Sequence, residues 1–321
     1  MATTAATRPK RLPRISNQTF TRFALGSFIG MILIVITGAA VRLTGSGLGC
    51  PDWPSCYEHR LTASTSLHPL IEFSNRMVTI FLVVVFLATV VAAYLRASKR
   101  RDLIVLSWIL VIGVFGQAVL GGIIVYTKLN PYLVMTHMWL SLAMLVVAIV
   151  LHHRSRYDYS TGARAEVASA ATRKVAWCLD GVFALVIIAG TAATGAGPHA
   201  GGNHGQLVAK RLPVALRDIV MAHSALAVGF VGLVLGVFLV LEGIGAPGRL
   251  RGGARRLLIV AVAQGIIGFV QYAAHLPAWL VEIHVLGAVS LTIGVVSFQL
   301  AQIARDRDLV VIERAPISPT A

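Results

Sequence analysis

Charged residues are scarce in this 321-residue sequence, at 13% against about 25% in soluble globular domains, and the acidic ones are scarcest, 13 Asp and Glu beside 28 Lys and Arg. With 56% hydrophobic residues and a mean hydropathy of +0.78, too little polar surface exists to clothe a soluble fold. The net charge of +15 fits a nucleic-acid binder in sign only. The basic residues sit in short clusters between apolar runs, as in loops held on the cytoplasmic side of a membrane, so nucleic acid is not expected as a partner. Cysteine is nearly absent: Cys50 and Cys56 share one polar loop and Cys178 lies in an apolar run, where it reads as inert packing. That pattern has no zinc-type spacing. No small-residue cleavage site follows the first apolar run, which therefore reads as a retained span rather than a signal peptide.

What the sequence has is apolar runs long enough to cross a bilayer as helices, at approximately 22–42, 72–95, 103–126, 132–152, 175–195, 218–241, 256–273 and 278–303. Counting Lys and Arg orients them. With both termini inside, the tails and the 96–101, 154–174 and 249–256 loops hold 21 of the 28. The long loops, 43–71 and about 196–217, are then external. The predicted fold is an all-α integral membrane protein of eight transmembrane helices, arranged as two pseudo-symmetric four-helix bundles. Its predicted segments are a cytoplasmic tail (1–21), an N-terminal bundle (22–153), a cytoplasmic linker (154–174), a C-terminal bundle (175–303) and a second cytoplasmic tail (304–321).

The pseudo-symmetry comes from a repeated phrase. Gln117-Ala-Val-Leu-Gly-Gly…Pro131…His137 returns as Gln264-Gly-Ile-Ile-Gly-Phe…Pro277…His284. Each glutamine lies twenty residues before its histidine and four before a glycine (Gly121, Gly268), while a tyrosine (Tyr126, Tyr272) and the proline fall out of step by one residue. Thr44-Gly-Ser-Gly and Thr194-Gly-Ala-Gly extend the match to the external loops. Each half has an even number of spans, so the repeat is parallel rather than inverted, and no span is broken mid-membrane by glycine and proline; both features argue against a transporter.

Three span histidines, His137, His223 and His284, lie at corresponding depths near the external face. Any one could merely bond a neighbouring helix, but intramembrane ionisable groups are costly and usually functional. His223 and His284, on alternate helices of one half, are predicted to face each other across its core, as a haem iron between two imidazoles requires. In the first half the repeat sets Asn75 where the second has His223. Glu72, Asn75 and Arg76 share a helix face, either as a surface ion pair or as an acidic group beside an open haem position, suited to proton transfer or water activation. Glu282 points away from His284 and reads as structural. Gln117 and Gln264 either bridge helices or touch a cofactor edge. Cys50 and Cys56 are external, where disulfides persist; they form either a disulfide, structural or redox-active, or two unlinked thiols.

The run Val41-Arg-Leu-Thr-Gly-Ser-Gly-Leu-Gly-Cys-Pro-Asp-Trp-Pro-Ser-Cys56, with Glu72-Phe-Ser-Asn-Arg76, Gln117…Gly121 and the three histidines, resembles the haem A synthase family over residues 22–303. The resemblance implies an eight-helix protein of the plasma (inner) membrane that oxidises the C8 methyl of haem O to a formyl group, giving haem A for terminal oxidase assembly. It implies a bound haem b in the C-terminal half, its iron held by His223 and His284 with Gln264 nearby. Haem O as substrate would lie in the N-terminal half, with His137 as iron ligand and Gln117 beside it. Glu72, with Asn75 and Arg76, falls on the catalytic face, and Cys50 and Cys56 match an external cysteine pair. Many members have histidine where this chain has Asn75; His68, seven residues earlier, or an open sixth position are the alternatives. Some members carry a second cysteine pair in the later loop, where this chain has His199 and His204. The implied partners are the bilayer, the farnesyltransferase that makes haem O, and an electron acceptor or donor. A non-catalytic di-haem b-type electron carrier is the rival reading; it accounts for the histidines and leaves Glu72, Asn75 and the cysteine loop unexplained.

Overall fold

The computed structural model describes residues 14–58, 62–156, 164–166, 169–204 and 207–305. Most of the two expected tails, together with Arg60 and the side chain of His204, lies outside the described residues. Among those described, eight helices are long and apolar enough to cross a membrane. They are α1 (Asn17–Leu43), α2 (Leu67–Leu95), α3 (Arg101–Tyr126), α4 (Pro131–Ser155), α5 (Ala170–Ala196), α6 (Leu216–Gly243), α7 (Gly248–Ala273) and α8 (Ala278–Ala301). Two short antiparallel ladders complete the described elements: β1 (Arg164–Glu166) with β4 (Ile303–Arg305), and β2 (Asn203–His204) with β3 (Leu207–Val208).

Seven helices overrun the predicted spans because hydropathy marks the part in lipid, whereas capping marks the ends; α8 instead stops at Ala301, short of the expected 303, because Ile303 pairs in β4. The Ser16 side chain accepts from Thr19 N–H at 3.0 Å, so α1 starts inside the expected 1–21 tail. Ser169 does the same for Thr172 at 3.1 Å, taking α5 back into the expected 154–174 linker, while α4 runs forward to Ser155. The largest correction is at 249–256: these four arginines are not a loop but the first two turns of α7. Arginine is a good helix former, and its long stem lets the guanidinium leave an apolar helix for the interface. Cys178 is also corrected. The buried stripe of α5 runs through Ala176, Leu179, Phe183 and Val186, and Cys178 stands exposed beside it.

In the first half, α1 packs on α2 and α4, α2 on α3, and α3 on α4; in the second, contacts run α5–α6–α7–α8, with a lighter α5–α8 contact. Each set encloses its own apolar cluster, centred on Phe20, Phe86, Leu110 and Leu145 in the first and on Leu179, Phe230, Leu257 and Phe298 in the second. α8 lies against α1 and α4, and α4 against α5. Short polar bonds stitch helices together where water is absent, as between Ser27 and Thr89 (2.9 Å), Trp139 and Thr191 (2.8 Å) and Gln299 and Asp180 (2.9 Å). Large apolar side chains such as Ile112 and Phe269, 68% and 76% exposed, cover the outer faces, which suits lipid.

The duplication is visible in the backbone. The α3–α4 turn puts Lys128 and Leu129 at φ 53° and 59°; the α7–α8 turn puts His275 and Leu276 at 63° and 61°. In both, the second of these residues donates its N–H back into the helix, Leu129 to Ile124 O (2.9 Å) and Leu276 to Gln271 O (2.8 Å). The prolines are out of step because they do different jobs: Pro131 is the first residue of α4, whereas Pro277 caps α8.

At the end of the molecule that carries residues 44–66 and 197–215, the loops of the two halves interlock. Gly47 N–H donates to Gly201 O (2.9 Å), Arg42 donates to His199 O (2.8 Å) and Thr194 O (3.0 Å), and His199 Nε2–H donates to Leu276 O (2.8 Å). The glycine spacing serves this close approach. Gly45 sits at φ 70°, and a Cβ at Gly49 would fall 2.6 Å from the His68 carbonyl carbon.

Candidate haem-type site

His223 on α6 and His284 on α8 meet inside the second half, their ring centroids 6.2 Å apart and nearly perpendicular. Both rings rest on helical backbone bared by glycine: a Cβ would come within 2.9 Å of His223 Cε1 at Gly190, and within 3.0 Å of His284 Cε1 at Gly268. His223 Nδ1–H donates to Val186 O (3.1 Å), which leaves Nε2 with its lone pair free for a metal. His284 Nδ1 is buried without a hydrogen-bond partner. Gln264 Nε2 donates to His284 O at 2.7 Å, so it staples α7 to α8 at the level of the histidine. Its Oε1 is buried and without a hydrogen-bond partner, crowded against Gly287, where no side chain would fit.

The first half repeats half of this arrangement. Gln117 Nε2 donates to His137 O (3.0 Å) and to Ser141 Oγ (2.8 Å), and a Cβ at Gly121 would lie 3.9 Å from His137 Cε1. His137 Nδ1 is again buried without a hydrogen-bond partner. Opposite, the symmetry fails. Asn75 Oδ1 accepts from Thr37 Oγ1 at 2.8 Å, and open space stands over the neighbouring Gly38.

Glu72 and Arg76 are placed differently from Asn75. Glu72 is only 6% exposed; one carboxylate oxygen accepts from Cys50 N–H (2.8 Å), the other from Arg76 Nη2 (2.6 Å). Arg76 Nη1 donates to the carbonyls of Asp52 (2.9 Å), Pro54 (3.2 Å) and Ser55 (2.8 Å). The pair thus organises the cysteine loop. His68 bonds Ser46 at 2.9 Å in the same region, away from Gly121 and Gln117, which accompany His137. Glu282, on the α8 face that continues to Val285 and Val289 against the first-half cluster, has both carboxylate oxygens buried without a hydrogen-bond partner.

Cys50 and Cys56 form a disulfide, both fully buried. They are expected to resist thiol labelling until reductant is added; immediate labelling of both would contradict the bond. Three contributors were missed from sequence. Thr37 and Gly190 show themselves only through packing. Trp53 had a signal: the repeat pairs Gly122 with Phe269, and the missing side chain at Gly122 is where the Trp53 indole lies.

With eight membrane-length apolar helices among its described residues, the protein is a multi-pass membrane protein, and it brings an imidazole pair together between two of those helices with a single imidazole at the matching place in the other half. Comparison with known proteins makes the assignment specific. The family COX15-CtaA, described as cytochrome oxidase assembly protein, matches residues 21–297, and the chain belongs to that family. It is 34% identical over 114 residues to a heme A synthase of Geobacillus thermodenitrificans (35% of each chain). It is 31% identical over 131 residues to one of Lysinibacillus sphaericus (39% of this chain, 42% of the relative). A third, from Shewanella oneidensis, is 29% identical over 144 residues (39% and 42%). The chain thus matches less than half the length of these curated relatives.

Proposed function

We propose that the protein is a haem A synthase, oxidising the C8 methyl of haem O to a formyl group for terminal oxidase assembly. The observation that carries this reading is the inequality of the two halves. An imidazole pair fits a permanently held cofactor; one imidazole opposite an asparagine fits a group that must be reached and changed. The second half passes a simple fit test for haem. It brings two imidazoles together, their ring centres 6.2 Å apart, with His223 Nε2 left free by the Nδ1 bond to Val186, a donor set of the kind that holds a haem iron. His223 and His284 would hold haem b there, and such a group supplies one-electron transfer. Its Nδ1 bond to Val186 orients His223, and the Gln264 staple sets the height of His284.

In the first half His137 would hold the iron of haem O, and Asn75, which accepts from Thr37, offers no second imidazole there. Glu72 is the acidic group nearest this face in sequence, and we assign it proton handling through the bonds it makes to Cys50 and Arg76. We place the protein in the plasma membrane with both termini cytoplasmic, from the distribution of Lys and Arg. Its partners would be the farnesyltransferase that supplies haem O and an electron acceptor. Extraction and chromatography of the haems in purified protein test the proposal. Haem A or a hydroxymethyl haem beside haem b is the expected result; haem b alone, in two copies per chain, would replace the enzyme with the di-haem electron carrier.

A further inference from the structure

Residues 51–55, between the two disulfide cysteines, lie across the edge where α2 meets α3. Their carbonyls are shared between the two helices: Asp52, Pro54 and Ser55 accept from Arg76 on α2, and Trp53 accepts from the Tyr126 hydroxyl on α3 at 2.7 Å. The strap carries the Trp53 indole onto α3. A Cβ at Gly122 would lie 2.7 Å from Trp53 Cδ2, so the ring rests on bare helical backbone. Val119, Ile123 and Tyr126, around Gly122 on α3, are exposed at 56%, 45% and 63%, yet Gly122 is buried. Trp53 therefore covers α3 from its outer side. One residue earlier, Gly121 faces His137. At the depth of the single histidine, α3 thus contributes no side chain over two successive positions, and the gap is filled from outside by a residue borne on a loop.

The second half is built otherwise. Gly268 faces His284 as Gly121 faces His137, but the next residue is Phe269, which is 76% exposed and covers the outer face of its own helix. A side chain carried on its own helix moves only with the helix; one carried on a loop that is tied at its two ends by a disulfide and fastened to the helices by hydrogen bonds can swing away when those bonds open.

We propose that the 51–55 strap is a lateral gate of the first half, and that Trp53 is the movable wall through which a tetrapyrrole with an apolar tail passes between lipid and the site at His137. The proposal rests on the assignment of the first half as the substrate site. It also accounts for the chemistry of such a substrate: an isoprenoid tail favours lipid, so a path through the α2–α3 edge spares its transfer through water. Trp53 is a positioning residue, and the Arg76 and Tyr126 bonds are the latch.

Haem release tests this. Protein in lipid nanodiscs, loaded with haem b, is mixed with excess apomyoglobin, and transfer is followed by absorbance. Trp53→Ala should speed release of the His137-dependent haem about tenfold and leave the second-half haem as slow as before; Tyr126→Phe, which removes one hydroxyl, should speed it a few-fold. Adding Gly122→Phe to Trp53→Ala should restore slow release, by placing an aromatic ring on the helix itself where the Trp53 indole lay. Wild-type release from both single variants would overturn the gate, and so would equal acceleration of both haems, which would mean that the strap only holds the fold. If Trp53→Ala fails to fold, the Tyr126→Phe rate decides. An unchanged haem content in His137→Ala overturns the first-half site itself, whatever Trp53 does.

Discussion

Replacing His284 with alanine is expected to abolish the low-spin b-type absorption of the purified protein, and His223→Ala to do the same. The two rings stand 6.2 Å apart, and on the proposed assignment they hold one iron, so removing either would leave the haem a single imidazole. The rest of the chain should still fold, because the side chains that seal this half, among them Phe230, Leu257 and Phe298, form their own buried cluster, to which neither histidine belongs. A control sharpens the result. Gln264→Ala removes the staple to the His284 carbonyl but no ligand, so it should shift or broaden the same absorption without removing it. An unchanged spectrum in either histidine variant would refute the assignment of haem b to the second half.

Glu72→Gln is expected to keep bound haem and to lower haem A formation by about 10²-fold or more, the scale on which a positioned acid or base acts. The choice of glutamine follows from the structure. The Glu72 carboxylate also holds Cys50 N–H and pairs with Arg76, and leaving a buried N–H donor such as that of Cys50 unpaired costs about 1–3 kcal/mol. Alanine would remove proton handling and loop anchoring together. Glutamine retains a carbonyl oxygen for Cys50 N–H and removes the ionisable group; its amide nitrogen cannot accept from Arg76, which keeps its bonds to the Asp52, Pro54 and Ser55 carbonyls. Haem content and the slow thiol labelling of the cysteine pair should then stay as in the parent. Normal haem A levels in Glu72→Gln would make Glu72 a fastener of the strap and nothing more.

These residues show how unevenly the protein is written in its sequence. Crossing helices are legible because lipid demands long apolar runs with internally satisfied backbone; seven predicted runs lie wholly within a helix, and the eighth, 278–303, passes the end of α8 by two residues. The Gln-to-His spacing is legible too, since two helices joined by one turn geometry bring residues at matched distances from the turn to the same level. The exact helix ends are not, because a cap such as Ser16 or a row of arginines such as 249–256 carries no apolar signal. Cys178 was misplaced because apolar composition surrounds both the buried and the lipid-facing sides of a span, and hydropathy does not tell them apart.

The sequence by itself determined that this chain lives in a membrane, that it is a duplication, and that the copies differ at Asn75 and His223. Those are properties of composition and register, set along the chain. Tertiary structure decided what the differences mean. It brought His223 to His284, turned Asn75 to Thr37, and bent Glu72 and Arg76 toward the cysteine loop. Each of these depends on which helix lies beside which and at what rotation, a choice made by packing between segments far apart in sequence.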